Sequence, residues 1–200
     1  KRQGQGQTSR ANKGQIDDFN TYHENLLEWI KIANEYKIPT FVLGVGLGGL
    51  IVVNLLEKAE LPIEGVMLLS PMLELRRTGK GRKNKIISNL GKMSKDTRFK
   101  VGISSQDLTR NEEIIDETDN DGLMLKKVTY RWYNLIVEKM KETMDHIKDI
   151  KQLPALIMYG TEDKILETDA IIELKDKLAS NELYFKAWNG LYHEIHNEPE

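Results

Sequence analysis

Three observations predict an α/β fold for this chain, a mostly parallel sheet flanked by helices. Short apolar runs alternate with segments of helical period. A glycine-rich turn, Gly44-Val-Gly-Leu-Gly-Gly49, joins one such run to a helix, and the last two runs end close to Asp163 and His193. Apolar runs of about four to eight residues bounded by Gly or Pro read as buried strands. Their alternation with helices implies parallel pairing through right-handed crossovers.

Taken in order, Phe19, Tyr22, Leu26, Leu27, Ile30 and Ala33 recur at helical spacing behind Asp17 and Asp18, which can cap a helix start. The spacing predicts an amphipathic helix over 18–37. Pro39 opens an apolar run through Val45 that is too short for a helix and is followed by glycines, so it reads as a buried strand. A helix over 50–58 follows, then a second buried strand over 65–70, closed by Pro71.

From 72 to 150 the character changes. A basic stretch, Arg76-Arg-Thr-Gly-Lys-Gly-Arg-Lys83, leads into polar and helical segments with no clear strand, so this part reads as an insertion. The basic run fits a solvated loop better than an anionic-surface site. Leu123, Leu125, Val128, Trp132, Leu135, Ile136, Met140 and Met144 are spaced for one helix with a packed apolar face. The sheet pattern resumes over 153–160, followed by a helix over 167–179 and a strand over 183–188. The expected organisation is therefore a core in two parts, 1–71 and 151–200, interrupted by a helical cap over 72–150.

The 200 residues carry 29 Lys and Arg against 31 Asp and Glu, a net charge of −2, so no positive field recruits nucleic acid. Without cysteine there is no disulfide framework, thiolate nucleophile or cysteine metal site, and a cytoplasmic location is the expectation. No metal or cofactor is implied. No 18-residue apolar run suggests a membrane span, although peripheral membrane contact stays open. The lack of an initiator methionine and of a closing helix suggests a piece lacking amino-terminal strands and a carboxy-terminal helix.

Phe41 to Leu50 has the frame of a strand–Gly-x-Ser-x-Gly–helix nucleophile elbow, but Gly46 stands in the serine's place. Gly44, Gly46 and Gly49 also satisfy the dinucleotide fingerprint Gly-x-Gly-x-x-Gly. That fingerprint requires an acid ending the next strand; Glu64 precedes that strand, which ends in Ser70-Pro71. Asp163 and His193 each follow a strand, where open α/β sheets place catalytic groups, and the order elbow, acid, histidine is that of serine hydrolases of this class. The blander alternatives are a turn-capping Asp163 and a plain loop His193.

On these residues the chain resembles the monoacylglycerol lipase and lysophospholipase branch of the α/β-hydrolases. Gly4-Gln-Gly-Gln-Thr8 is similar to the family's Gly-His-Gly-x-Ser loop, and Gly44 to Gly49 to its Gly-His-Ser-x-Gly-Gly elbow. Leu108-Thr-Arg-Asn111 is similar to a cap motif, Gly160-Thr-Glu-Asp163 to the acid loop, and Gly190-Leu-Tyr-His-Glu194 to the histidine loop. The resemblance implies that Asp163 orients His193, that His193 serves as base and then acid, that the Leu47 N–H is an oxyanion donor, and that the ligand is a small acyl or lipid-like molecule. The second oxyanion donor would lie on a loop outside this chain.

Val45 and Gly46 depart from the family pattern, leaving no Oγ to attack an ester. The expectation is a catalytically impaired carboxylic-ester hydrolase. The alternative is an active one using Ser70, Ser104, Ser105, Thr161 or a His193-activated water.

Overall fold

The computed structural model describes residues 4–8, 12–76 and 94–199. Its elements are α1 (Asn20–Asn34), β1 (Phe41–Val45), α2 (Leu47–Leu56), β2 (Gly65–Leu69), β3 (Arg98–Phe99), α3 (Ser105–Leu108), α4 (Glu112–Asn120), β4 (Val128–Thr129), α5 (Tyr130–His146), β5 (Ala155–Gly160), α6 (Thr168–Lys177) and β6 (Leu183–Trp188). β1, β2, β5 and β6 form one wholly parallel sheet in that order. This is the α/β architecture expected. The basic run's residues 77–83 lie outside the described residues.

Register divides the sheet into two unlike faces. Val42, Gly44, Val66, Leu68, Ala155, Ile157 and Tyr159 share one face and are all buried. Helices cover that side, with Leu50, Ile171 and Leu174 joining Leu68 and Ile157 in the core. The opposite face carries Phe41 (54 % exposed), Leu43 (56 %), Tyr184 (67 %) and Trp188, with Met67, Leu156 and Met158 half-buried between them. The expectation of a fully buried strand at 41–45 is corrected here. β1 is buried on one side only, because no described residues lie over its other side.

Three further expectations shift for local reasons. α1 is shorter than 18–37, and neither expected aspartate is its N-cap: Phe19 stands there without a side-chain cap, while Asp18, one residue earlier, accepts from the Asn20 N–H at 2.9 Å. α2 begins at Leu47, three residues early, with Gly48 and Gly49 inside its first turn. The helix expected to take in Leu123, Leu125 and Val128 starts only at Tyr130. The Thr129 hydroxyl accepts from the Trp132 N–H at 3.2 Å and caps it there, while Val128 pairs with Phe99 in a two-residue antiparallel ladder. Such a ladder is too short to show strand periodicity, so segment 72–150 is not strand-free.

A polar cluster lies beneath α2, where α1 and α5 meet it. Asn54 donates to Thr143 Oγ1 at 2.9 Å and to Glu57 at 3.3 Å, and Lys58 pairs with Glu142 at 3.0 Å. Burial, reinforced by the Glu142 charge, pushes the Glu57 carboxyl from 4.5 to about 8. Burial, reinforced by Lys58 and Lys139, pushes the His23 imidazole from 6.5 down to about 4.

Both shifts make stability depend on pH. Folded Glu57 keeps a proton that the unfolded chain has released, so stability is full below 4.5 and falls as pH rises towards about 8. Folded His23 refuses a proton that the unfolded chain takes up below 6.5, so stability falls as pH drops towards about 4. The melting temperature should therefore decline from mildly acidic pH towards pH 8, and Glu57→Gln should flatten that decline. A decline of equal slope in wild type and variant, measured by thermal denaturation across the range, would contradict the assignment.

Candidate active site

The elbow is built where β1 passes into α2. Gly46 has φ 51 and ψ −117, a region that L side chains enter only with strain of about 1–3 kcal/mol. The turn is held by hydrogen bonds from the Gly46 N–H to the Leu69 carbonyl and from the Met72 N–H to the Gly46 carbonyl, both 3.0 Å. Tight approach holds it as well. A Cβ on Gly49 would lie 2.7 Å from Pro71 Cβ, so the first turn of α2 can rest on the end of β2 only with glycine there. Leu47 opens α2 and is buried, and its N–H is one of the donors at a helix start that lack an intrahelical acceptor.

The loops after β5 and β6 bring Asp163 (1 % exposed) and His193 (6 %) together. Asp163 Oδ2 accepts from His193 Nδ1 at 2.8 Å. With the proton on Nδ1, Nε2 is left with its lone pair. A Cβ on Gly46 would sit 3.2 Å from that Nε2. Gly46, Asp163 and His193, chosen from sequence, therefore meet at one point.

Asp163 also does what the blander reading proposed. Its Oδ1 accepts from the Ile165 and Leu166 N–H groups at 2.7 and 2.9 Å, capping the turn before α6. One oxygen fixes the loop and the other holds the imidazole.

None of the alternative nucleophiles comes near. Among the described residues, its chain neighbours Val45 and Leu47 aside, only His193 lies within 4 Å of a Cβ on Gly46. Ser70 is fully buried, Ser104 donates to Asp107 and Ser105 to Asp119, both at 2.7 Å, and Thr161 accepts from the Gly190 N–H at 2.9 Å.

Several supporting residues escaped the sequence reading. Arg76, at the start of the basic run whose composition fits a solvated loop, donates from Nη1 to the Asp163 carbonyl at 2.7 Å. Glu198, whose side chain is fully buried, accepts from Arg110 Nε at 2.6 Å and from the Arg110 and Tyr192 N–H groups at 3.1 and 3.3 Å. Thr109 Oγ1 donates to the Asn197 carbonyl at 3.0 Å, and the Glu194 N–H to the Leu108 carbonyl at 2.8 Å. These contacts fasten the histidine loop to the Leu108–Asn111 motif. The only sequence signal was that motif's resemblance, which named Arg110 without naming its partner.

A cavity of about 610 Å³ opens between the core and the 98–146 segment, lined by Met72, Leu108, Trp132, Ile136 and Met140, with Gln5 as one of its polar residues. Gly46, Asp163 and His193 are not in its lining, but two lining residues are one hydrogen bond away from them: the Met72 N–H donates to the Gly46 carbonyl, and the Leu108 carbonyl accepts from Glu194 in the loop of His193. Among the described residues no group of three or more His, Asp or Glu is placed to hold a metal ion, and no helix is long and apolar enough to cross a membrane.

A parallel sheet with a strand–turn–helix elbow, followed by an acid loop and a histidine loop at successive strand ends, defines the α/β-hydrolase class. The family model for serine aminopeptidase, S33, matches residues 2–200, and the chain belongs to that family. It is 32 % identical over 198 residues to Phospholipase YtpA of Bacillus subtilis, an alignment covering 98 % of this chain and 76 % of that protein. It is 23 % identical over 199 residues to the monoglyceride lipase of Rattus norvegicus, covering 98 % of this chain and 65 % of the relative.

In three dimensions the chain is similar to the monoacylglycerol lipase of Paleococcus ferrophilus, with a TM-score of 0.83, 23 % identity and coverage of 98 % of this chain and 74 % of that one. It is also similar to a soluble variant of the Saccharomyces cerevisiae monoglyceride lipase in complex with a substrate analogue. Here the TM-score is 0.85 and the identity 20 %, covering 99 % of this chain and 70 % of that one. At these identities the structural likeness speaks for the fold. With the family shown, the dinucleotide reading of Gly44, Gly46 and Gly49 falls away.

Glu198→Ala should remove the fully buried carboxylate that accepts from the half-buried Arg110 Nε and from the Arg110 and Tyr192 N–H groups, destabilising the chain by about 1–3 kcal/mol in denaturant unfolding. A loss under about 0.5 kcal/mol, the range of ordinary surface changes, would show that the clamp does not hold the loop.

Proposed function

We propose that this chain is a lysophospholipase- and monoacylglycerol lipase-like member of its family in which the nucleophile position is occupied by Gly46. The covalent acyl-transfer route is closed, while the cavity for an acyl ligand is retained beneath a cap formed by 72–150. The observation that carries this reading is the direction of the missing side chain: a Cβ on Gly46 would point at His193 Nε2 from 3.2 Å. A serine there would place its Oγ within hydrogen-bonding reach of the base.

Each remaining group then has a role. Asp163 holds the imidazole through Nδ1 and stabilises it when protonated, and His193 supplies and withdraws the proton at Nε2. The Leu47 N–H faces the developing oxyanion. Without an Oγ, no acyl-enzyme forms at the elbow. In an intact triad, loss of the serine lowers turnover by about a millionfold. The apolar cavity of 610 Å³ suits a single acyl chain, and ligand binding, not turnover, becomes the site's main capacity.

Gly46→Ser should raise hydrolysis of a short-chain p-nitrophenyl ester by at least about a thousandfold. It should also make the protein label with a fluorophosphonate, which leaves the unmodified chain unlabelled. The variant should melt slightly lower, since serine at φ 51 carries about 1 kcal/mol of strain. Vigorous ester hydrolysis by the unmodified chain that disappears in His193→Ala, with no gain from Gly46→Ser, would overturn the proposal.

A further inference from the structure

The side chain that separates serine from glycine is a CH2OH group, one heavy atom of carbon and one of oxygen, which is the size of methanol. The elbow still points that volume at a base. His193 Nε2 faces it from 3.2 Å, and among the described residues no other group apart from the chain neighbours Val45 and Leu47 lies within 4 Å of the Cβ position. The base is oriented from behind by Asp163 at 2.8 Å, and both residues are almost fully buried. Gly46 itself is fixed by two backbone hydrogen bonds of 3.0 Å, so the turn does not depend on a side chain for its shape.

We propose that this site catalyses direct acyl transfer from an ester to a small hydroxylic acceptor taken from solvent, methanol or water, seated where the serine side chain would be. The proposal rests on the reading of Gly46, Asp163 and His193 given above.

The step balances without any further reactant. The acceptor's O–H donates to His193 Nε2, and its oxygen forms a bond to the ester carbonyl carbon as the proton moves to Nε2. The carbonyl oxygen takes up the negative charge facing the Leu47 N–H. The bond to the leaving alkoxide then breaks, and that oxygen takes the proton from Nε2. An ester and an alcohol become a new ester and the departing alcohol, or with water an acid and that alcohol. No covalent intermediate forms with the protein.

A tethered serine acts at an effective concentration of about 10⁵–10⁸ M, so methanol at about 1 M recovers only a small part of the lost rate. The shape of the site sets the selectivity. Methanol fits the volume of the missing side chain, whereas tert-butanol does not.

The test uses the full chain with p-nitrophenyl butyrate and phenyl butyrate in up to about 1 M methanol. It follows phenol release and, by gas chromatography, methyl butyrate. Methyl butyrate should form about tenfold faster than with folded His193→Ala, saturate with methanol, and not be matched by a tert-butyl ester in tert-butanol. Gly46→Ala keeps the dyad but puts a methyl group in the acceptor's place, and it should lose the methanol-dependent product.

The ratio of methyl ester to acid should differ between the two substrates, because each acceptor attacks the intact ester. An identical ratio for both leaving groups would reveal a shared acyl-enzyme and overturn the proposal. So would methyl butyrate at the His193→Ala level. If Gly46→Ser is active while the unmodified chain makes no methanol-dependent product, the direct transfer alone fails. If neither is active, the underlying assignment of the site fails with it.

Discussion

The close approach of α2 to the end of β2 is the constraint on which the site depends. Four backbone hydrogen bonds meet at Gly46 among the described residues: its own N–H on the Leu69 carbonyl, and the Gly49, Leu50 and Met72 N–H groups on its carbonyl. Pro71 lies so near Gly49 that no side chain fits between them. These contacts hold φ at 51 whatever residue stands at 46, so the elbow's shape is separable from the chemistry of its side chain. They also aim the start of α2, with its unpaired N–H groups, at the space in front of His193.

A second set of contacts ties that space to the 98–146 segment. His193 is gripped from behind by Asp163, which is itself anchored by Ile165, Leu166 and Arg76. Beyond His193, the buried carboxylate of Glu198 clasps Arg110 and Tyr192, and Leu108 and Thr109 add two more links to the same loop. Leu108 also lines the apolar cavity. His193 therefore shares a short run of backbone with the wall of the cavity, and a change in that wall has a mechanical route to the imidazole.

Much of the fold was legible because its elements announce themselves locally. β6 runs from Leu183 to Trp188 as the apolar run predicted, and the glycines placed the elbow. Asp163 and His193 could be chosen because each follows a strand, and their meeting depends only on β5 and β6 being neighbours. What stayed hidden was what leaves no local pattern. The two-residue ladder of β3 and β4 has no period to detect. The Arg110–Glu198 pair joins positions 88 residues apart, and a single glutamate near the chain's end gives no sign of it. Phe-Val-Leu-Gly-Val reads the same whether one side or both are covered, so the open side of β1 could only be seen in three dimensions.

That open side alters how the protein must be handled and judged. Among the described residues nothing covers Phe41, Leu43, Tyr184 or Trp188, which leave apolar surface exposed on the two edge strands, while the layer behind the sheet is packed. Dyes that brighten on contact with exposed hydrocarbon, commonly used to diagnose loosely packed intermediates, would bind this face in the fully native chain. Wherever this face meets water, a bright dye signal is a property of the folded surface, and a probe of the interior, such as amide protection along β2 and β5, distinguishes it from loss of structure.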